Sequence, residues 1–284
     1  MTTWIRLLFV PCLLLSVPAG AEVWKASEHR QIQDAIESAA YGDTVLVAPG
    51  TYGKLVLRPG VQLIAEKGPD ETLLTSNSFW VVKADGLDSL TTIEGFSIDG
   101  QKGAEGVIRA EESNLVVKDC VIKGGWSGFR GLFCDMTIQN CTFRECQNGI
   151  YLFESQGSVV NNDIQLCITG ITLVSAAPRI VRNTITRNTL GFRIAEHSDP
   201  TIGGTISTAN RVWNNVSGAV KNEAYQKNQG LRTMKPKTLR VPYNFWGSDC
   251  PDSAMFRGNT IEWGPWVDES GKRSLDVCEK IAPE

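Results

Sequence analysis

Apolar residues recur every 21 positions through the middle of the chain. One row runs Val117, Ile138, Val159, Ile180, and a second runs Ile122, Phe143, Ile164, Ile185. Gly128, Gly149, Gly170 and Gly191 form a third, followed one residue on by Phe129, Ile150, Ile171 and Phe192. The runs between turn residues are short. In one of them Ile171 and Leu173 alternate with Thr172, the period-two signature of a half-buried strand. None has the 3.6-residue period of an amphipathic helix. Short strands at a fixed period of about 20–25 residues describe a solenoid in which each coil stacks on the last, about 4.8 Å away. The apolar rows point inward. Asn162 and Asn183, with Cys120 and Cys141 in the same slot of the two preceding coils, stand at a bend. Asparagine there hydrogen-bonds along the stack and tolerates left-handed backbone angles. Cys146, Cys167 and Asn188 form one more row. Function is therefore expected on an outer face of the stack.

The ends differ from the middle. Arg30–Ala40 reads as a short amphipathic helix (Ile32, Ala35, Ile36, Ala39) inside an N-terminal cap, 22–43. Coils follow over 44–222, irregular to about residue 90 and regular from 91 to 199, with Pro200–Asn222 as one more coil. Residues 223–240 are polar and basic (Lys227, Arg232, Lys235, Lys237, Arg240) and read as a loop. Residues 241–284 form a closing coil and tail. An open terminal coil would expose a sheet edge, and Trp246, Trp263 and Trp266 are suited to cover it.

Several segments resemble the right-handed parallel β-helix superfamily of pectate lyase-like and polygalacturonase-like proteins. Gly42-Asp43-Thr44-Val45-Leu46-Val47-Ala48-Pro49-Gly50-Thr51-Tyr52 is similar to the opening coil of many of its members. Tyr243-Asn244-Phe245-Trp246-Gly247-Ser248 and Gly264-Pro265-Trp266-Val267-Asp268 are similar to the closing segment of secreted bacterial ones. The expected fold is all-β: a single-stranded right-handed parallel β-helix with an N-terminal helical cap. The resemblance spans roughly residues 28–270. It specifies fold more than activity, because lyases, hydrolases, epimerases, adhesins and non-catalytic binders share the architecture.

Composition narrows the setting. Met1–Ala21 reads as a secretory signal, with Arg6 in the positive region, Leu7–Val17 apolar and Ala19-Gly20-Ala21 at the cleavage site. A periplasmic or extracellular monomer with no membrane span is expected. The net charge is −3, one unit more negative without Arg6, which argues against nucleic acid as a partner. Loss of Cys12 leaves Cys120, Cys134, Cys141, Cys146, Cys167, Cys250 and Cys278. Cys250 and Cys278, both outside the solenoid, are the preferred disulfide. In the core, Cys120/Cys141 and Cys146/Cys167 can pair or stay reduced as interior filling. With two histidines, His29 and His197, and no paired cysteine spacing, no zinc site is expected.

In enzymes of the resembled superfamily, the active groove lies over the strand after the glycine row. The outward positions there are Arg130, Tyr151, Thr172 and Arg193, with Phe153, Val174 and Ala195 two residues after the last three. Tyr151 and Phe153 can stack on sugar rings, and Arg130 and Arg193 can pair with uronate carboxylates. Glu196, His197 and Asp199 could supply acid and base groups. The competing reading is an ordinary polar strand face with Ser198-Asp199-Pro200 as a turn. Calcium, which wants six to eight oxygens, finds no carboxylate at positions 130, 151, 172 or 193, so no cofactor is expected. Nor do those positions supply the paired carboxylates of a glycosidase. The leading expectation is a binder of an extended polysaccharide or cell-surface glycan along this face. A polysaccharide lyase, hydrolase or epimerase is one alternative; a structural, protein-binding or metal-maturation solenoid is another.

Overall fold

The computed structural model describes residues 20–101, 103–227 and 234–278. The signal-peptide reading over 1–21 therefore falls almost wholly outside the described residues. The chain winds as an all-β right-handed parallel solenoid. One coil shows the plan. Asn114–Lys118 lies in sheet 1, Val121–Lys123 in sheet 2 and Ser127–Leu132 in sheet 3. Among the described residues, stacking of equivalent strands gives sheets 1 and 2 nine and eight strands, and sheet 3 has ten, one of them the antiparallel Met234–Pro236.

The inward rows stand in register. Val117, Ile138, Val159 and Ile180 pair along sheet 1. Ile122, Phe143, Ile164 and Ile185 pair along sheet 2. Phe129, Ile150, Ile171 and Phe192 pair along sheet 3. All are fully buried, and each such side chain contributes about 1.5–3 kcal/mol by leaving water. The glycine row has a steric cause. A Cβ on Gly128, Gly149 or Gly170 would lie 2.7 Å from the carbonyl oxygen of the glycine in the next coil.

The bend between sheets 1 and 2 divides its tasks differently from the expectation. The left-handed backbone belongs to the preceding residues, Asp119, Asn140, Asn161 and Arg182. Asn162, Asn183, Asn210 and Asn244 form the buried amide ladder, each Oδ1 accepting from the backbone N–H of the ladder residue one coil earlier. Cys120 and Cys141 continue the row toward the N-terminus without side-chain amides. Among the described residues five buried cysteines are free. Burial pushes the Cys134 and Cys141 thiols up, which keeps them protonated and unreactive.

At the N-terminal end the helix is Ile32–Ser38, shorter than the hydrophobic pattern suggested, because a capping box between Gln31 and Asp34 starts it at Ile32. Ile32, Ala35 and Ile36 are its buried face. At the other end Phe256 stacks on Trp263 at 4.9 Å and meets Trp246 edge-on at 5.0 Å. The Cys250–Cys278 disulfide forms as expected. Where a loop was expected over 223–240, the strand Val220–Lys227 runs on past the solenoid and Met234–Pro236 pairs back on it antiparallel. Alternation of buried Asn222 and Ala224 with half-exposed Lys221, Glu223 and Tyr225 carries the strand into the polar stretch.

Two carboxylates tie down the ends. Asp43 accepts from the backbone of Glu22 and Ala40 and from Trp24 Nε1, each at 2.8 Å, and these bonds lower its pKa, the Glu22 bond most. Asp268 is held well below the usual carboxylate range, first by the Arg273 guanidinium and then by the Ser270 hydroxyl. A depressed folded pKa contributes stability that is complete above the unfolded value, near 3.8, and is lost as pH falls through the folded value. The urea midpoint is thus expected to hold down to about that pH and to fall below it. Asp43→Asn should lower the midpoint at neutral pH and flatten the acid limb, as tryptophan fluorescence would report. An unchanged acid limb would remove Asp43 from the account.

Candidate functional site

Sheet 3 presents two outward rows. The first runs Lys83, Arg109, Arg130, Tyr151, Thr172, Arg193, Lys221. The second, two residues further along each strand, runs Asp85, Glu111, Leu132, Phe153, Val174, Ala195, Glu223. The middle of the second row is apolar and its ends are acidic. Arg130 lies over the Tyr151 ring at 5.7 Å, and Phe153 meets exposed Phe133 edge-on. Thr172 departs from the expected outward ligand. It is 2 % exposed, a short side chain between Tyr151 and Arg193, and its hydroxyl donates to Asn148 Oδ1 at 2.7 Å.

Each cation of the first row from Lys83 to Lys221 has a carboxylate. Lys83 pairs with Asp85 at 2.6 Å, and Arg109 lies between Asp85 at 3.8 Å and Glu111 at 2.5 Å. Arg130 reaches Glu105 at 3.3 Å. Arg193 and Lys221 converge on Glu223 at 2.7 and 2.6 Å, which lowers its pKa, through Lys221 first. Arg109 and Glu111 were within reach of the sequence, since both stand one 21-residue step before the Arg130 and Leu132 rows. Lys83, Asp85, Lys221 and Glu223 were not, because the first coils and the last one have other lengths.

Beside this face, where each chain turn leaves sheet 2 and enters sheet 3, an open groove of about 1640 Å³ crosses the coils. Its rungs are Phe79, Glu105, Trp126, Gln147, Ile168, Thr189 and Val216. Successive rungs are joined in register, since the amide after each rung donates to the carbonyl of the rung before, as in Ser127 to Glu105 and Asn148 to Trp126. Four of them, Phe79, Trp126, Ile168 and Val216, are large, apolar and 45–88 % exposed. They occupy every second coil. Polar Glu105, Gln147 and Thr189 fill the coils between. No sequence expectation covered this groove, although Trp126, Gln147, Ile168 and Thr189 share the 21-residue spacing. Alternating identities hid the row, in which no single residue type recurs.

A family of proteins described as containing a right handed beta helix region matches residues 81–229, more than half of the chain. The chain belongs to this right-handed β-helix family. No curated protein matches it. Among solved structures, PfbA, a surface adhesin of Streptococcus pneumoniae, superposes with a TM-score of 0.61 at 13% identity, over 87% of this chain and 80% of its own. Pectate lyase Pel9A gives a TM-score of 0.56 at 10% identity, over 88% and 79%. The family 28 exopolygalacturonase of Yersinia enterocolitica gives 0.52 at 11% identity, over 88% and 65%. At these identities the likeness is one of fold.

In this β-helix the three candidate acid/base residues take separate partners. Glu196 Oε2 accepts from the Ser175 hydroxyl at 3.0 Å. His197 stacks edge-on against Tyr225. Asp199 pairs with Lys237 at 2.7 Å. Among the described residues, no group of three or more His, Cys, Asp or Glu stands together to hold a metal. No helix among them is long and apolar enough to cross a membrane.

Proposed function

We propose that this protein is exported and binds an extended polysaccharide laid lengthwise along the side made by sheet 3 and its entry turns. The observation that carries the reading is the open groove itself. It runs parallel to the solenoid axis and exposes large apolar side chains that a monomer would otherwise bury. Aromatic faces such as Trp126 and Phe79 suit the C–H faces of pyranose rings, and the neighbouring Arg130, Tyr151, Phe153 and Arg193 extend the contact surface onto sheet 3. The fold neighbours include a surface adhesin and two proteins named for pectic polymers, which agrees with a glycan partner.

A screen of polysaccharides by affinity electrophoresis tests the proposal. Trp126→Ala with Ile168→Ala is expected to weaken the retained polymer at least tenfold, and Tyr151→Ala with Arg193→Ala severalfold. Retention unchanged by both pairs would remove this side of the molecule from binding.

A second reading, polysaccharide cleavage, draws on Asp85 and Glu111, which stand on adjacent coils with Arg109 between them. Glycosidases work through two such carboxylates. Here both are committed to a guanidinium, which favours binding without turnover. New reducing ends or unsaturated-uronate absorbance on incubation with a bound polymer, abolished by Glu111→Gln, would reverse that preference.

A further inference from the structure

Resting on the polysaccharide reading, we infer that the groove takes an uncharged, flat, β-1,4-linked chain with a two-sugar repeat. Two independent features of the site lead there: the spacing of its rungs and the balance of its charges.

The rungs alternate. Phe79, Trp126, Ile168 and Val216 are separated by two coils each, with Glu105, Gln147 and Thr189 between them. Adjacent coils lie about 4.8 Å apart, so apolar rungs recur about every 9.6 Å. In a flat β-1,4-linked chain each sugar is turned over relative to the last. The same ring face therefore recurs at every second sugar, a distance close to two coils. Such a chain sets one apolar ring face on each apolar rung. The inverted sugars between them turn hydroxyl-bearing edges to glutamate, glutamine and threonine. A chain that showed the same face at every sugar would want an apolar rung on every coil. A three-fold chain would run out of register within a few coils.

Most of the charges are closed. Lys83, Arg109, Arg130, Arg193 and Lys221 each have a carboxylate within 3.8 Å. In the groove Lys123 pairs with Asp99 at 3.0 Å. The remaining charged wall residues, Glu145 and Arg187, are of opposite sign. A polyuronate carries a carboxylate on every sugar. Beyond what Arg187 alone could pair, it would have to break existing ion pairs and would meet Glu105 and Glu145 on the wall. Hydroxyls have no such conflict, because a guanidinium held on one side by a carboxylate still offers N–H groups to a neutral acceptor.

The test is calorimetric titration of the full chain with hexamers of neutral β-1,4 sugars (gluco-, xylo-, manno- and N-acetylglucosamine series), of β-1,3-glucan, and of galacturonate and mannuronate, at low and high salt. Expected is binding of a neutral β-1,4 hexamer whose affinity changes less than twofold with salt, and no heat with either uronate. The variant Glu105→Gln with Glu223→Gln, which frees Arg130 and Arg193, should gain uronate binding that weakens steeply with salt. Uronate binding by the unaltered chain would overturn the uncharged class while leaving a polysaccharide partner standing. Equal affinity for the β-1,3 series would overturn the two-sugar repeat. If none of these chains nor any polymer in the screen binds, the polysaccharide reading falls and this inference with it.

Discussion

Asn183→Ala is expected to cost the fold about 4 kcal/mol, since each buried polar group left without a partner costs about 1–3 kcal/mol. Asn183 is 1 % exposed. Its Oδ1 accepts from the backbone and side-chain amides of Asn162, both at 2.9 Å. Its Nδ2 donates to the carbonyls of Val159 and Val181 and to Asn210 Oδ1. Alanine strands the Asn162 backbone N–H and takes the Asn183 amide from the Val159 carbonyl where water does not reach, while the Val181 carbonyl keeps the Asn161 N–H at 3.2 Å. Asn183→Cys should cost about half as much, because Cys120 and Cys141 already fill this slot with a sulfur that contacts backbone carbonyls. Urea unfolding followed by circular dichroism measures both. Equal midpoints for the alanine variant and the parent would show that the amide ladder is dispensable.

Gly149→Ala is the second large effect, at about 3 kcal/mol, the upper range for forcing a methyl group into packed space. The new Cβ would stand 2.7 Å from the carbonyl oxygen of Gly170 and 2.7 Å from Ile164 Cγ2. The first contact is backbone of the next coil, which cannot retreat without breaking the pairing of Asn148–Phe153 with Thr169–Val174. Gly53→Ala is the control, with nothing within 4 Å of its Cβ. A Gly149→Ala protein as stable as Gly53→Ala would mean the coils slide apart at little cost.

What could be read in the chain follows from coil length. Where coils repeat at 21 residues, the row containing Phe129 and Ile150 and the row containing Val117 and Ile138 declare themselves, because burial demands the same residue class at each level. The outward rows obey no such demand. Arg130, Tyr151 and Thr172 share a row yet differ in chemistry, and the burial of Thr172 depends on the size of its neighbours rather than on its own position. The ion pairs of Asp85 and Glu223 were hidden for another reason. Both lie where coil length changes, so only the folded register brings them beside Arg109 and Arg193. The strand Val220–Lys227 reads as loop from Glu223 on because its outward positions are charged, while its inward ones, Asn222 and Ala224, lack the usual aliphatic signature.

The strict register of the central coils gives the molecule a unit of length. Thr169 stands over Asn148, so excising residues 148–168 would join Gln147 to Thr169 with every interior row still in line. The solenoid would shorten by about 4.8 Å, but Gln147 and Thr189 would become neighbours and the alternation of rungs would change phase. Removing two coils restores it. Growth or loss of this scaffold by duplication and deletion is therefore free in whole coils as far as folding is concerned, and constrained to even numbers as far as the groove is concerned.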